Sequence, residues 1–316
     1  MPALILRLPS QTPTTCPLFR RRYVWWGRMS TPAHLPASTR DAWTLFWADS
    51  TQSRCAAGAP EIQQAIEDHW AAFAHSLPPA AHVLDLGCGA GAVGRLLLAA
   101  RDDLRVTGVD SARVPASRHP RLDLRSDTRM EALPFDGQIF GAVVSQFGFE
   151  YSQTDRAAAE IARVSTPGAK LSLLVHHAES AIVCATRARL SAVVAFLGPT
   201  VRSAFCGGDA AGFKAQMSLL VQRYPDDSLI DQLARALPSR LGWMRDKRVS
   251  TWHALEDALA PESCVSESLN ACCVAASRIG EWLGPLRRVC ELAPVSVLRE
   301  PGGDPIAWRT EGVRTA

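Results

Sequence analysis

Asp85, four glycines within the next nine residues, and Asp110 are the residues of this chain whose types and spacing point most directly to chemistry. The run Val83-Leu84-Asp85-Leu86-Gly87-Cys88-Gly89-Ala90-Gly91-Ala92-Val93-Gly94 reads as an apolar strand ending in an acid, a glycine-rich turn and the start of a helix. Glycine lacks Cβ, so the turn takes positive φ and a ligand lies against bare backbone. The following helix aims its free N–H groups at that ligand. Two ligands fit. Gly89-x-Gly91-x-x-Gly94, with Asp110 further on, has the form of a dinucleotide fingerprint. Asp85 favours a different one, because a carboxylate at the mouth of the loop repels a pyrophosphate and suits an ammonium, directly or through water. Further along, Glu150, His176 and His177 follow predicted strands and are the candidate acid–base groups. Imidazole titrates near neutral pH, and a carboxylate there orients an amine or takes a proton. Their plainer reading is a pair of strand-end histidines bonding backbone and a helix N-terminal carboxylate.

Asp85, Gly87, Gly89 and Gly91 form Asp-x-Gly-x-Gly-x-Gly, which resembles the first motif of the class I (Rossmann-like) S-adenosylmethionine-dependent methyltransferases. Four more segments keep that family's order. Arg105–Asp110 resembles its second strand and acid, and Leu124–Phe135 the segment that carries an acid and an apolar side chain. Pro134–Ser145 resembles its turn into the fourth strand, and Glu160–Ala169 its helix end and Pro-Gly turn. Gly141 departs from the pattern, standing where the family often has Asp. The resemblance spans about residues 80–177. It implies S-adenosylmethionine as cofactor, with Asp110 on the ribose hydroxyls, a role that two carboxylate oxygens suit. It also implies Asp127 against the adenine amine and Met130 near the adenine face, where a thioether packs well. Ser111 and Thr128 join that set, and Cys88 is a small filler in the loop. Gln146 is placed against the substrate or the methionine end of the cofactor.

These motifs require strands near 82–86, 105–109, 121–125, 139–145 and 170–176, with helices between most of them. Such alternation predicts a doubly wound, mostly parallel α/β sheet covered on both faces. The resemblance implies seven strands, closed by an antiparallel C-terminal hairpin over 291–316, where Pro301-Gly302-Gly303-Asp304 is the turn. Residues 39–76 read as two helices. The first carries Trp43, Phe46 and Trp47 at helical spacing, and in the resembling family such a segment packs over the cofactor. Residues 178–290 break the alternation and read as a helical insert, with helices near 178–196, 209–223, 228–236, 251–259 and 266–284. An insert of that size is expected to form a lid over a partly enclosed substrate.

Composition sets limits. Hydrophobic residues are 47% and charged residues 21%, enough for a sizeable core. Residues 1–28 hold five arginines and no Asp, Glu or Lys, so the net charge of +3 becomes −2 for the rest of the chain. The body therefore has no basic footprint for nucleic acid. The arginine-rich stretch has the composition of an organelle transit segment, or precedes a natural start at Met29; residues 1–38 are expected to be disordered. No apolar run has the length of a membrane helix, and no membrane partner is expected. Nine scattered cysteines with no C-x-x-C pair lack zinc spacing and read as reduced thiols of a cytoplasmic protein.

The chain is thus expected to methylate O or N of a small-molecule acceptor. An RNA or protein methyltransferase, a non-catalytic cofactor-binding regulator and an NAD-dependent oxidoreductase are the other readings. Ser145-Gln146-Phe147-Gly148 is not the Asn/Asp-Pro-Pro-Tyr/Phe motif of many amino-methylating nucleic-acid enzymes, and there is no Pro-Cys nucleophile.

Overall fold

The structure, a computed structural model, describes residues 39–48 and 60–315; the expected disordered segment 1–38 lies outside them. Helices α1 (Thr39–Ala48) and α2 (Pro60–Ser76) lead into β1 (His82–Leu86), α3 (Ala92–Ala100), β2 (Arg105–Val109), β3 (Leu122–Arg125), β4 (Phe140–Gln146), α4 (Thr154–Val164) and β5 (Ser165–His176). The insert follows as α5 (Ala181–Phe196), α6 (Pro199–Gly207), α7 (Ala210–Arg223), α8 (Ser228–Ala236), α9 (Arg245–Cys272), α10 (Ile279–Trp282) and α11 (Gly284–Arg287). Then β6 (Cys290–Leu292), β7 (Ser296–Arg299) and β8 (Pro305–Arg314) end the chain.

The sheet order is β3-β2-β1-β4-β5-β8-β6, parallel from β3 to β5 and antiparallel at β8. Chain order reverses between β1 and β4, and the crevice beyond their carboxyl ends is where open α/β sheets bind ligands. The central strands are apolar on both sides because both sides are covered. On one face Trp70 and Phe73 of α2 and Leu97 of α3 pack on Val83, Val106 and Val144. On the other, Ile161 of α4, Ile279 and Leu286 pack on Leu84, Val143 and Leu173.

Among the described residues the sheet has eight strands, not seven, although it has seven positions. β6 and β7 lie end to end along one edge of β8, pairing at Leu292↔Gly312 and Ser296↔Arg309. Between them Ala293 still donates to Glu311 O, and Pro294, without an N–H, splits the edge strand in two. The expected hairpin is therefore β7–β8, preceded by β6. A second difference lies at Pro167-Gly168, expected to be the turn before β5. β5 already begins at Ser165, and these residues bulge out of it between the Phe140↔Ser165 and Ala142↔Lys170 pairs.

Within the insert, the separate helices expected near 251–259 and 266–284 are replaced by one long helix, α9, that ends at Cys272 and contains Pro261. Proline weakens a helix interior, but Trp252 and Leu259 on one side of Pro261 and Leu269 on the other are all buried, so packing holds both halves in line. Helix α6 was not expected at all. It starts at Pro199 after Gly198 and ends at Gly208 with φ +77°, the proline-first, glycine-last arrangement that in sequence reads as a linker. Phe196, Phe205, Phe213, Leu233 and Trp252 make the insert's own core, whereas α10 and α11 pack under the sheet. The insert reaches the crevice through α9, which packs on α1 and on the short turn Phe149–Tyr151. Among the described residues no single helix is long and apolar enough to cross a membrane; α5 and α6 meet that test only together, bent by 44°. The seven cysteines among the described residues are free thiols.

Candidate cofactor site

β1 carries Asp85 at its end because the strand's side chains alternate, and the acid falls on the α2–α3 face. The chain then turns through Gly87 (φ +70°) and Gly89 (φ +48°). Both turns are also too tight for a side chain. A Cβ on Gly87 would lie 2.9 Å from Gly148 Cα, and one on Gly89 would overlap the Trp47 indole. Residues 87–91 are thereby pressed between the turn after β4 and the aromatic face of α1.

Beyond the strand ends lies a cavity of about 360 Å³. Of the eleven residues expected to hold the cofactor, Gly87, Cys88, Asp110, Ser111, Asp127, Thr128, Met130 and Gln146 line it. Asp85, Gly89 and Gly91 lie outside its wall. Asp110 accepts hydrogen bonds from Gly89 N at 2.9 Å and Ala112 N at 2.8 Å, which fix the loop to the end of β2. Burial raises its pKa, and those two N–H groups oppose the rise. The Cys88 thiol is pushed well above its ordinary value, first by burial and then by Asp85 and Asp110, so it has no nucleophilic character.

Asp85 is 1% exposed, and neither carboxyl oxygen has a hydrogen-bond partner within the protein. Burial, and then the charge of Asp110, push its pKa up to about 7, with the Gly94 N–H pulling the other way.

Asp127 stands on the opposite rim with φ +57°. Its carboxylate is paired with Arg40 of α1 and lies 3.8 Å from Arg113 Nε. Arg40, Trp43 and Trp47 line the cavity from above. Trp43 stacks with Trp47 and meets Tyr151 edge-on at 5.5 Å, joining α1 to the turn after β4. Arg40 was not singled out from the sequence. The signal was available, since it lies one turn before Trp43 on the same helix face. Phe147 and Tyr151 complete the wall.

The three candidate acid–base groups separate. Glu150 and His176 form one pair, with His176 Nδ1 2.7 Å and His176 N 2.9 Å from Glu150 Oε1. Both side chains are fully buried, and His176 stacks at 4.2 Å on Phe147, which stands between it and the cavity. Glu150 Oε2 and His176 Nε2 have no hydrogen-bond partner. His177 instead stacks on Trp308 at 4.4 Å, and its Nδ1 accepts from Glu179 N. It is not brought to the cavity.

A glycine cradle, a buried acid beside it and a second acid at the next strand end are the arrangement that the family resemblance implies for an adenosyl cofactor. Residues 84–173 match the family described as "Methyltransferase domain". The chain therefore carries a methyltransferase domain, and the matched segment contains the glycine turn, Asp85, Asp110 and Gln146. Among curated proteins, none matches its sequence. Solved structures similar to it include the N-methyltransferase NodS from Bradyrhizobium japonicum WM9 in complex with S-adenosyl-l-homocysteine, at 10% identity, covering 88% of this chain and 100% of that one with a TM-score of 0.48. Another is the Burkholderia thailandensis 1,6-didemethyltoxoflavin-N1-methyltransferase, at 12% identity, covering 91% and 94% with a TM-score of 0.46.

The Asp85 carboxyl predicts a pH dependence of stability. Its pKa in the folded chain, about 7, exceeds the 3.8 of an unperturbed Asp, so the fold holds a proton that the unfolded chain loses. Stability is then full below pH 4 and falls as pH rises through 7, by about 4 kcal/mol in all. Urea unfolding of the ligand-free protein at pH 5 and pH 8 checks this. Asp85→Asn is expected to be more stable than wild type at pH 8 and to lose most of the pH slope; an unchanged slope would show that Asp85 is not its source.

Proposed function

We propose that this methyltransferase transfers a methyl group to an oxygen or nitrogen of a small-molecule acceptor. The observation that carries this reading is the roof: Trp43 and Trp47 cover the cavity, and Arg40 ties α1 to Asp127 across its rim. A polymer needs an open, basic track, whereas this cavity is walled on one side by α1 and balances its two arginines with acids. Arg40 pairs with Asp127 and Arg129 with Glu131. The insert supports the same reading as a cap, since α9 braces α1 from outside. A soluble cytoplasmic protein fits this use.

We assign the cofactor residues the roles that the family resemblance implies for them. The buried unpaired Asp85 and the bare Gly87–Gly91 turn fit an adenosyl amino acid better than a pyrophosphate, with the ammonium toward Asp85 and the ribose on Asp110. Asp127, Ser111, Thr128 and Met130 bound the adenine end. When bound, the cofactor supplies an activated methyl group; the chain aligns the acceptor in line with it and removes a proton where one must leave. Glu150 and His176 are the pair assigned to that proton. His176 Nε2 is free to accept it, Glu150 fixes the imidazole through Nδ1, and Phe147 must move aside for an acceptor to reach them.

Titration calorimetry with S-adenosylhomocysteine and, in parallel, NADH tests the cofactor. The adenosyl ligand is expected to bind at micromolar concentrations and to be lost in Asp85→Ala. Binding of NADH alone would contradict the reading. Methyl-labelled cofactor incubated with a cell extract split by size tests the acceptor: label should enter the small-molecule fraction, and label confined to RNA or protein would reverse the assignment. In the same assay Glu150→Gln is expected to lower transfer about a hundredfold while leaving S-adenosylhomocysteine binding intact; undiminished transfer would remove the pair from the chemistry.

A further inference from the structure

The turn between α8 and α9, residues 237–244, presents Met244 at 80% exposure, the highest among the large hydrophobic side chains of the described residues. Met244 contributes to neither core nor cap. It belongs to no buried cluster of the insert, and it stands at the N-cap of α9, with φ −58° and ψ 150°, where its side chain accepts no hydrogen bond. Ser, Thr, Asp or Asn in that place would satisfy a free helix N–H. An apolar side chain thus stands where burial and capping both argue against it.

Its neighbours are aromatic and cationic. Trp243 is half-buried, with Lys247 Nζ 4.1 Å and the Arg240 guanidinium 5.6 Å from its ring centre. Arg245 is exposed beside Met244. Elsewhere in the insert arginines pair with acids, Arg189 with Asp227 and Glu262, and Arg202 with Glu256. Among the described residues Arg240, Arg245 and Lys247 form no ion pair, and Asp246 is the single acid between 240 and 248. The turn is held from behind. Arg248, 8% exposed, donates to Leu241 O, Trp243 O and Cys206 O, which ties the turn to α6.

A projecting turn with one bare apolar side chain is a poor match for a rigid protein partner, which needs about 800 Å² of complementary surface. It suits a soft, negatively charged surface. Trp and the long cationic side chains favour the interface of a bilayer, where their stems are buried and their heads meet lipid phosphates. We propose that this turn docks on an anionic lipid bilayer. Met244 and the edge of Trp243 enter the interface, and Arg240, Arg245 and Lys247 face the headgroups. No residue of the turn lines the cavity, so the contact is separate from the cofactor site. The sequence expectation of no membrane partner rested on spanning length, which a surface contact does not need.

Co-sedimentation of the full chain with vesicles tests this. Vesicles of one part phosphatidylserine to two parts phosphatidylcholine are expected to carry the protein down, and phosphatidylcholine alone to leave it in solution. Met244→Ser is expected to weaken binding about fivefold, and Arg245→Gln combined with Lys247→Gln about twentyfold. Met244→Ser also supplies the cap that α9 lacks, so its thermal midpoint should equal or exceed that of the wild type. Weaker binding by a protein of equal or greater stability does not come from misfolding. Residues 1–28 carry five arginines that also attract anionic vesicles. Binding undiminished in both variants would assign it to them and overturn the proposal. No binding to the mixed vesicles would overturn it as well, as would single-stranded RNA binding through the turn in place of vesicles.

Discussion

Asp85 lies near the end of the central strand with its carboxyl sealed from solvent, and the Gly94 N–H only partly offsets the burial. A buried ionised group in that state costs several kcal/mol, and the usual escape is to stay protonated. The surrounding structure is arranged so that this group remains in place. Gly87 and Gly89 turn the backbone around it, and the Asp110 carboxylate locks the loop through Gly89 N while adding a second negative charge nearby. Among the described residues no cation acts on either acid, so the pair makes a local demand for an external positive charge. A sulfonium amino acid carries two, at the ammonium and at the sulfur, so in the function proposed above the acids that burden the empty loop are the ones assigned to cofactor recognition.

Around that centre the fold divides the work between rigid and added parts. The parallel strands fix Asp85, Asp110 and Gln146 at neighbouring carboxyl ends, where backbone hydrogen bonding leaves little freedom. The roof is a separate element. Helix α1 lays Trp47 on Gly89 and Trp43 against Tyr151, and Arg40 ties it to Asp127. The insert, with its own aromatic core around Trp252, supports α1 from behind through α9, and all the residues that line the cavity fall between Arg40 and Ser152. The insert therefore acts on the site by bracing its cover.

The parts legible in sequence are those set by local rules. Strands β1 and β2 follow from short apolar runs ending in an acid, and the glycine turn follows from its spacing. Of the eight cavity-lining residues expected to hold the cofactor, Gly87, Cys88, Asp110 and Ser111 follow β1 and β2, Asp127, Thr128 and Met130 follow β3, and Gln146 ends β4. The parts missed depend on contacts distant in sequence. Pro261 reads as a helix break because local geometry disfavours it, yet burial of Trp252, Leu259 and Leu269 carries α9 through it. Pro294 splits an edge strand whose existence depends on β8. Glu150, His176 and His177 looked equivalent as residues at strand ends. Strand alternation turns His176 toward Glu150 and Phe147 and sends its neighbour His177 to Trp308.

The central claim is that an unpaired, largely protonated Asp85 becomes ionised against a positive ligand. The most direct measurement is the number of protons released when S-adenosylhomocysteine binds, obtained from calorimetry in buffers of different ionisation enthalpy between pH 5 and pH 8.5. With a pKa of about 7 before binding, the account predicts release approaching one proton near pH 6, fading toward zero above pH 8 as the empty site is already ionised. Asp85→Asn should abolish it. Binding without proton release at pH 6, or release that survives in Asp85→Asn, would contradict the account.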